Sequence, residues 1–443
     1  MIGAVIVMKF GGTSVGDARS IRQVVQIVQA MQAQQPVVVV SAHAGVTDAL
    51  LALAASAPGG LADTEPIASR HRAILAELGL PTDLLAPWLA ELQDLARGLR
   101  LVGAASPRAV DLLVSYGERC CARTVAAALQ QAGTPAAAVD AFAVGLRTDS
   151  AFGRARPLAD DGRIARAIAA VPGVPVVTGF VAADEQGNIT TLGRNGSDYS
   201  AALFGAALGV EEIQIWKDVD GVRTADPKLV PHAEPIRSMA YAELCELATF
   251  GSKVLHPAAM VPAMQLGIPM SVRNTRQPDA VGTRIEADTT GERPTVRAIA
   301  HRAGVALVTI ASRRLLPQHA FLARVFAELD QLGSEIGPLA VSAAAIAIAL
   351  DPSTAAAAAE RMQSLGDVQL EFDQAVVGVV GDPRGIEQHG AAAALATLRD
   401  AGIAVRCVGQ GARGGTLALV VPMPALHRAV SCLHDRFFPP QGG

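Results

Sequence analysis

Aromatic side chains are scarce, at 4% of the chain, so a hydrophobic core has to be assembled mainly from Ala, Val and Leu. Charged residues are few as well, 18% against 51% hydrophobic, which excludes a disordered, self-repelling chain. Neither sign of charge dominates. A formal net charge of −4 leaves no electrostatic footprint for nucleic acid or a membrane surface, so any anion must be met by a local site. The five cysteines, Cys120, Cys121, Cys245, Cys407 and Cys432, include no C-x-x-C pair and no zinc spacing with histidines, which points to a reduced, cytoplasmic protein. No uninterrupted apolar run reaches about 18 residues, and "MIGAVIVM" is cut short by Lys9, so neither a spanning helix nor a signal peptide is expected.

What is present is an alternation. A length of 443 residues suggests about two to four domains. Through residue 285, short β-branched runs (4–10, 36–42, 174–180, 212–218 and 268–274) alternate with helical stretches such as 18–32 and 198–209. Continuous apolar strands separated by helices predict a mostly parallel sheet covered on both faces. "DEQGNITTLGR", residues 184–194, carries the turn chemistry of a β-hairpin. After a polar stretch at 282–300 the pattern changes and repeats: strand, helix, strand, strand, helix, then the same again, with His319 and His389 opening equivalent helices 70 residues apart. Each repeat resembles a ferredoxin-like split βαβ unit. The division expected is 1–290 as a domain of catalytic size, with α+β modules at 300–370 and 371–443, strand 305–310 being a candidate for exchange between them.

Four stretches carry chemistry. In "AVIVMKFGGTSVGD", residues 4–17, a buried strand delivers Lys9 and then Gly11, Gly12, Thr13 and Ser14. Glycines let backbone approach an anion and a lysine supplies a point charge, although the order is not that of the P-loop and an ordinary strand-to-helix turn would read the same. "LGRNGSDYSAALFGAALG", residues 192–209, opens a helix with Ser197 and Asp198 behind Arg194; helix N-termini attract anions, and the same residues serve as caps. "IWKDVDGVRTADPK", residues 215–228, runs from a strand into an acidic, Gly-containing loop rimmed by Lys217, Arg223 and Lys228, with Asp218, Asp220 and Asp226 lacking EF-hand spacing. "FGSKVLHPAAM", residues 250–260, sets Lys253 and Val254 in a small-residue turn. Thr47 in "SAHAGVTDALL" and Glu118 in "VSYGERCCA" each follow an apolar run, and Glu118 would equally suit a helix surface.

Taken in order with "GFVAADEQGNITT", these motifs resemble the aspartate kinases, over essentially the whole chain, and the repeated tail resembles that family's paired ACT modules. The resemblance implies an amino-acid-kinase-like α/β fold and transfer of the ATP γ-phosphoryl group to the β-carboxylate of L-aspartate, the first step toward lysine, threonine and methionine. It implies Lys9 facing the transferring group, Gly11 and Gly12 amides cradling phosphate, Lys253 as second cation and Asp198 holding the lysines in register. Arg194 and Ser197 would bind a carboxylate of aspartate, Thr47 and Glu118 the rest of the amino acid, with Glu118 opposite its ammonium. Phe10, Ser14, Lys217, Asp218, Arg223, Lys228 and Val254 would line the nucleotide, and Mg²⁺ would be held mainly by ATP, with no dedicated protein metal site. A homodimer or larger homo-oligomer and an amino-acid effector at the ACT modules complete the expectation.

There are departures. Lys217 stands where relatives often have threonine, Arg223 where they often have tyrosine, and Asn195 where glycine is common. Relatives fused to a homoserine dehydrogenase continue well past the tail, so that second activity is not expected here. In lysine-inhibited relatives, acids of the first ACT module meet the effector's ammonium groups; here "GSEIGPLAVSAAA", residues 333–345, has Gly337 and Ala343 instead and keeps only Glu335. A buried ammonium without a partner is costly, so lysine feedback through that pocket is not expected. Two alternatives stay open at this level: a kinase of the same fold with a related amino-acid acceptor, and a catalytically silent ACT subunit.

Overall fold

The computed structural model describes residues 5–251, 254–287, 294–312, 318–411 and 414–439. They group into two compact units, one of residues 1–222, 237–241 and 254–289, the other of 223–236, 242–253 and 290–443. Among the described residues no helix is long and apolar enough to cross a membrane.

The first unit is built on an eight-stranded sheet. Its strands in chain order are β1 (Ile6–Phe10), β2 (Pro36–Val40), β3 (Ala136–Val139), β4 (Val174–Thr178), β7 (Glu212–Lys217), β8 (Ser238–Ala240), β9 (Met270–Asn274) and β10 (Thr283–Glu286), while β5 (Val181–Ala183) and β6 (Ile189–Thr191) form the separate hairpin. The spatial order is β3-β4-β2-β1-β7-β9-β10-β8, parallel except where β10 meets β9. Every residue of β1, β2 and β4 is buried, which suits strands covered on both faces. Ile6, Met8 and Phe10 share a core with the helices Ala18–Ala30 and Pro107–Gln131. The expected strands are present; β1 and β9 end where expected, and β2, β4 and β7 end one or two residues early, β4 at Thr178, β7 at Lys217 and β2 at Val40 rather than residue 42. There the chain folds over the residues after β1, with Ser41 N–H donating to Phe10 O (3.2 Å) and Ala44 N–H to Gly12 O (3.1 Å).

The second unit contains one six-stranded antiparallel sheet, β12-β13-β11-β14-β16-β15, made of β11 (Val296–Ser312), β12 (Ile336–Val341), β13 (Ala345–Leu350), β14 (Gly366–Gly381), β15 (Cys407–Gln410) and β16 (Thr416–Pro422). Strands and helices follow the expected repeat. The predicted strands 305–310 and 375–381 are the halves of much longer ones, because β11 and β14 pair along their whole lengths with register shifts near Ala303–Leu307. Gly304 and Asp373 take left-handed φ values of 68° and 55° at that junction. Beyond it the two halves cover different cores, one around Val308, Phe321 and Ile348, the other around Val377, Leu398 and Leu419. The division at 370/371 therefore falls inside β14. Residues 223–236, placed by the sequence in the first domain, supply Ala225, Val230 and Ala233 to the second of these cores.

Candidate active site

Lys9 is buried because of the strand's two-residue period. With Ile6, Met8 and Phe10 facing one helical layer, Val7 and Lys9 project to the opposite face. The helix Gly196–Leu208 packs on β1 and β7 and carries Asp198 in its first turn. Lys9 Nζ lies 2.5 Å from Asp198 Oδ1 in a buried ion pair. In the β1–β7 register Lys9 stands beside Ile215, so Lys217, two residues on, shares its face. Lys217 Nζ lies 3.0 Å from Asp198 Oδ2 and donates to Val254 O at 2.5 Å. One carboxylate thus holds two lysines at the carboxyl ends of adjacent parallel strands. This is the switch point of the sheet, since the chain runs from β1 to β2 on one side and returns as β7 on the other, and open α/β sheets bind ligands there.

Burial lowers the Lys9 pKa, and Lys217 lowers it further, against the pull of Asp198. For Asp198, burial acts to raise the pKa, but the Lys9 and Lys217 charges outweigh it and hold the carboxyl below its usual range. The positive end of the helix dipole works in the same direction.

The glycine pair after β1 has a packing reason. Phe10 stacks on Trp216 with ring centroids 5.9 Å apart, and Gly11 N–H donates to Trp216 O at 3.1 Å, so that amide is committed to the loop rather than to a phosphate. At Gly12 a Cβ would sit 2.9 Å from Ala42 O, so only glycine lets residues 41–45 lie this close. Ser14 is buried; its hydroxyl donates to Trp216 O (3.2 Å) and bonds Thr275 Oγ1 (2.7 Å). Buried His43 approaches Val15 O through Nδ1 at 2.5 Å. Thr275 and His43 were not legible as site residues, since nothing in their local sequence marks a contact with residues 14 and 15.

A second buried carboxyl lies nearby. Glu118, 3% exposed on the helix Pro107–Gln131, accepts the Ala42 N–H while its Oε2 has no hydrogen-bond partner. Burial pushes it up to about 8, the Ala42 bond and Lys9 being smaller effects in the other direction. Thr47 is half-buried, second in the helix Val46–Ser56. Ser197 is buried and packs on Gly179, where a Cβ would come within 2.7 Å of Ser197 Cβ. Arg194 is exposed in the turn before the helix, next to Asn195 at φ 59°, a left-handed conformation that asparagine tolerates and that explains why it can replace glycine. Asp111, two turns before Glu118, accepts from Gly153 N–H, Thr191 N–H and Thr191 Oγ1, each at 2.9 Å, and so anchors the hairpin that leads into this turn. Its seven-residue spacing from Glu118 on one helix was the available signal.

The loop after β7 is divided. Asp218 is exposed, and Asp220 accepts from Asn274 Nδ2 at 2.5 Å. Arg223 and Lys228 belong to the second unit, where Arg223 Nη1 donates to Ala233 O (2.8 Å) and Lys228 is exposed, its N–H donating to Asp226 Oδ1 (2.9 Å). Lys253 lies outside the described residues.

Residues 4–274 match the amino acid kinase family. The chain is 33% identical to chloroplastic aspartokinase 3 of Arabidopsis thaliana over 98% of its own length and 81% of the relative's. It is also 33% identical to the lysine-sensitive aspartokinase 3 of Escherichia coli over 98% and 99%. Among solved structures, E. coli aspartokinase III in complex with aspartate and ADP superimposes with a TM-score of 0.82 at 32% identity, covering 98% of this chain and all of that one. This chain belongs to the amino acid kinase family and, within it, to the aspartokinases.

Proposed function

We infer that this protein is an aspartate kinase, transferring the γ-phosphoryl group of ATP to the β-carboxylate of L-aspartate to give 4-phospho-L-aspartate. The observation that carries the reading is the Asp198 carboxylate shared by Lys9 and Lys217 at the sheet's switch point. Two lysines against one carboxylate leave a buried centre short of negative charge, the condition that an incoming phosphoryl group or carboxylate satisfies. Phosphoryl transfer requires positioning and charge stabilisation more than covalent help from the protein. Lys9 stabilises charge on the migrating group, Asp198 fixes the lysines, and Lys217 adds a further cation.

Aspartate's ammonium fits opposite Glu118, whose unpartnered Oε2 would gain a charge-assisted bond and ionise on binding. Arg194, exposed before the helix, suits a substrate carboxylate in bidentate fashion, with Ser197 and Thr47 beside it. Phe10, Gly11, Gly12 and Ser14 shape the phosphate loop, and Asp218 and Val254 belong to the nucleotide side. Mg²⁺ would neutralise phosphate charge, held chiefly by ATP oxygens and water.

In the same reading the first unit is the catalytic domain, and the six-stranded sheet of the second unit with its helices forms the paired ACT modules. Exposed Ile336 and Val341 on β12 and Val408 on β15, the strands ending the six-stranded order, favour a homodimer formed through this region. The test of the activity is ATP-dependent hydroxamate formation with aspartate and a panel of analogues. Aspartate is expected to be the best acceptor. A better rate with another amino acid, or no acceptor at all, overturns the assignment.

A further inference from the structure

We propose that the second unit carries a transition-metal site formed by His232, His434 and Asp435, taking Zn²⁺ or a metal of similar preference. One ligand atom from each residue lies within 4.8 Å of the other two. His232 Nε2 and Asp435 Oδ1 are 3.1 Å apart, and the His232 and His434 rings meet edge to face with centroids at 5.0 Å. In a tetrahedral site with bonds of about 2.0–2.1 Å, ligand atoms stand roughly 3.3 Å apart. The His232–Asp435 pair already has that spacing, and a ring nitrogen of His434 lies within 4.8 Å of both ligand atoms.

A surface ion pair next to a core histidine would account for part of this arrangement, but not for the state of His434. That residue is 1% exposed. Its Nε2 bonds the Thr224 hydroxyl at 2.9 Å, and the same hydroxyl accepts the Glu234 N–H at 2.9 Å. Its Nδ1 has no hydrogen-bond partner. Buried polar atoms without partners are rare and call for an explanation, a bound ion being one. A histidine that engages one ring nitrogen with a protein oxygen while the other carries a lone pair is the arrangement of a metal ligand with its orienting partner. Consecutive helix residues project about 100° apart, so His434 and Asp435 can share an ion only at the rim of the helix Leu426–Phe437. His232 closes that rim from outside the helix. With His232 and Asp435 about half exposed, the remaining coordination position is open to water, as in an exchangeable site.

The ion would tie residues 223–236 to the terminal helix. Arg223 donates to Ala233 O one residue from His232, so the metal would also stiffen the segment that carries Arg223. Binding should be read on the untagged, metal-stripped full chain with Co²⁺ by visible absorption and with Zn²⁺ by calorimetry. The expected result is one saturating equivalent, intense tetrahedral-type cobalt bands, and a rise of a few degrees in Tm at a hundredfold excess over Kd. His232→Ala and Asp435→Asn change exposed residues, should leave the fold intact, and should each weaken binding at least tenfold. His427→Ala, exposed on the same helix, should bind as the parent does. No saturable binding, or equal affinity in His232→Ala and Asp435→Asn, overturns the site. Loss in His427→Ala does the same.

Discussion

Asp198 and Glu118 are buried to the same degree, 2% and 3% exposed, and lie in the same unit, yet their carboxyl groups are driven in opposite directions. Asp198 has a lysine on each oxygen and is held ionised. Glu118 has a backbone amide and an oxygen without a partner, and is pushed up to about 8. Burial is common to both, so the number of nearby cations decides the charge state. The Asp198 carboxylate is compensated by the protein's own cations; the Glu118 carboxylate is compensated only by a ligand that brings a positive charge.

That contrast can be broken at its strongest point first. Lys9→Ala removes a preorganised cation and should lower kcat by about 10²–10³, with the fold retained. A variant keeping more than about half of the parent rate in a coupled ADP-release assay would remove Lys9 from the chemistry. Next comes Glu118→Gln, which deletes the charge-assisted bond to the substrate ammonium and should raise KM for aspartate about 10–100-fold with little change for ATP.

The same variant sharpens the comparison through pH. Glu118 has a folded pKa near 8 against an ordinary 4.5, so the folded state retains a proton that the unfolded state has lost. Stability therefore falls as pH rises from about 4.5 to about 8, and Glu118→Gln should flatten that slope in denaturant-unfolding midpoints. An unchanged slope would mean that Glu118 is ionised without ligand. Arg194→Lys should have a smaller effect, about tenfold on kcat/KM for aspartate, because a point charge cannot reproduce a bidentate fork. A rise in KM for ATP alone would assign Arg194 to the nucleotide.

The smallest effect expected is that of lysine. The E. coli relative is named for its lysine sensitivity. In this chain millimolar lysine should leave the initial rate at subsaturating aspartate nearly unchanged, because Gly337 and Ala343 offer an ammonium no acid. Strong sigmoidal inhibition would refute this. Restoring the acid at Gly337 is not a simple test, since a Cβ there would meet Ala349 O at 2.9 Å; the constraint is a close approach of strands rather than a positive φ.

The alternation of strands and helices was legible in the sequence, since a five-residue apolar run between helical stretches has few other uses. The repeat in the tail was legible for the same reason. Lys9 and Asp198 could also be named as partners, but only through a family resemblance, because nothing local says that residue 9 meets residue 198. Lys217 shows the limit most clearly. From the sequence it belongs to the nucleotide loop, and its place on Asp198 follows from a β1–β7 register that only the assembled sheet sets. Gly11 is similar, its amide bonded to Trp216, more than 200 residues away.

By itself, then, the sequence determined which segments form strands and helices and which residue types are available for charge, because periodicity and turn chemistry act over a few neighbouring residues. The tertiary structure decided which charges meet, which carboxyl is ionised, and that β11 and β14 run through both cores of the tail. Those outcomes depend on burial and on distances between residues far apart in the chain, and the strength of a charge interaction is set by both.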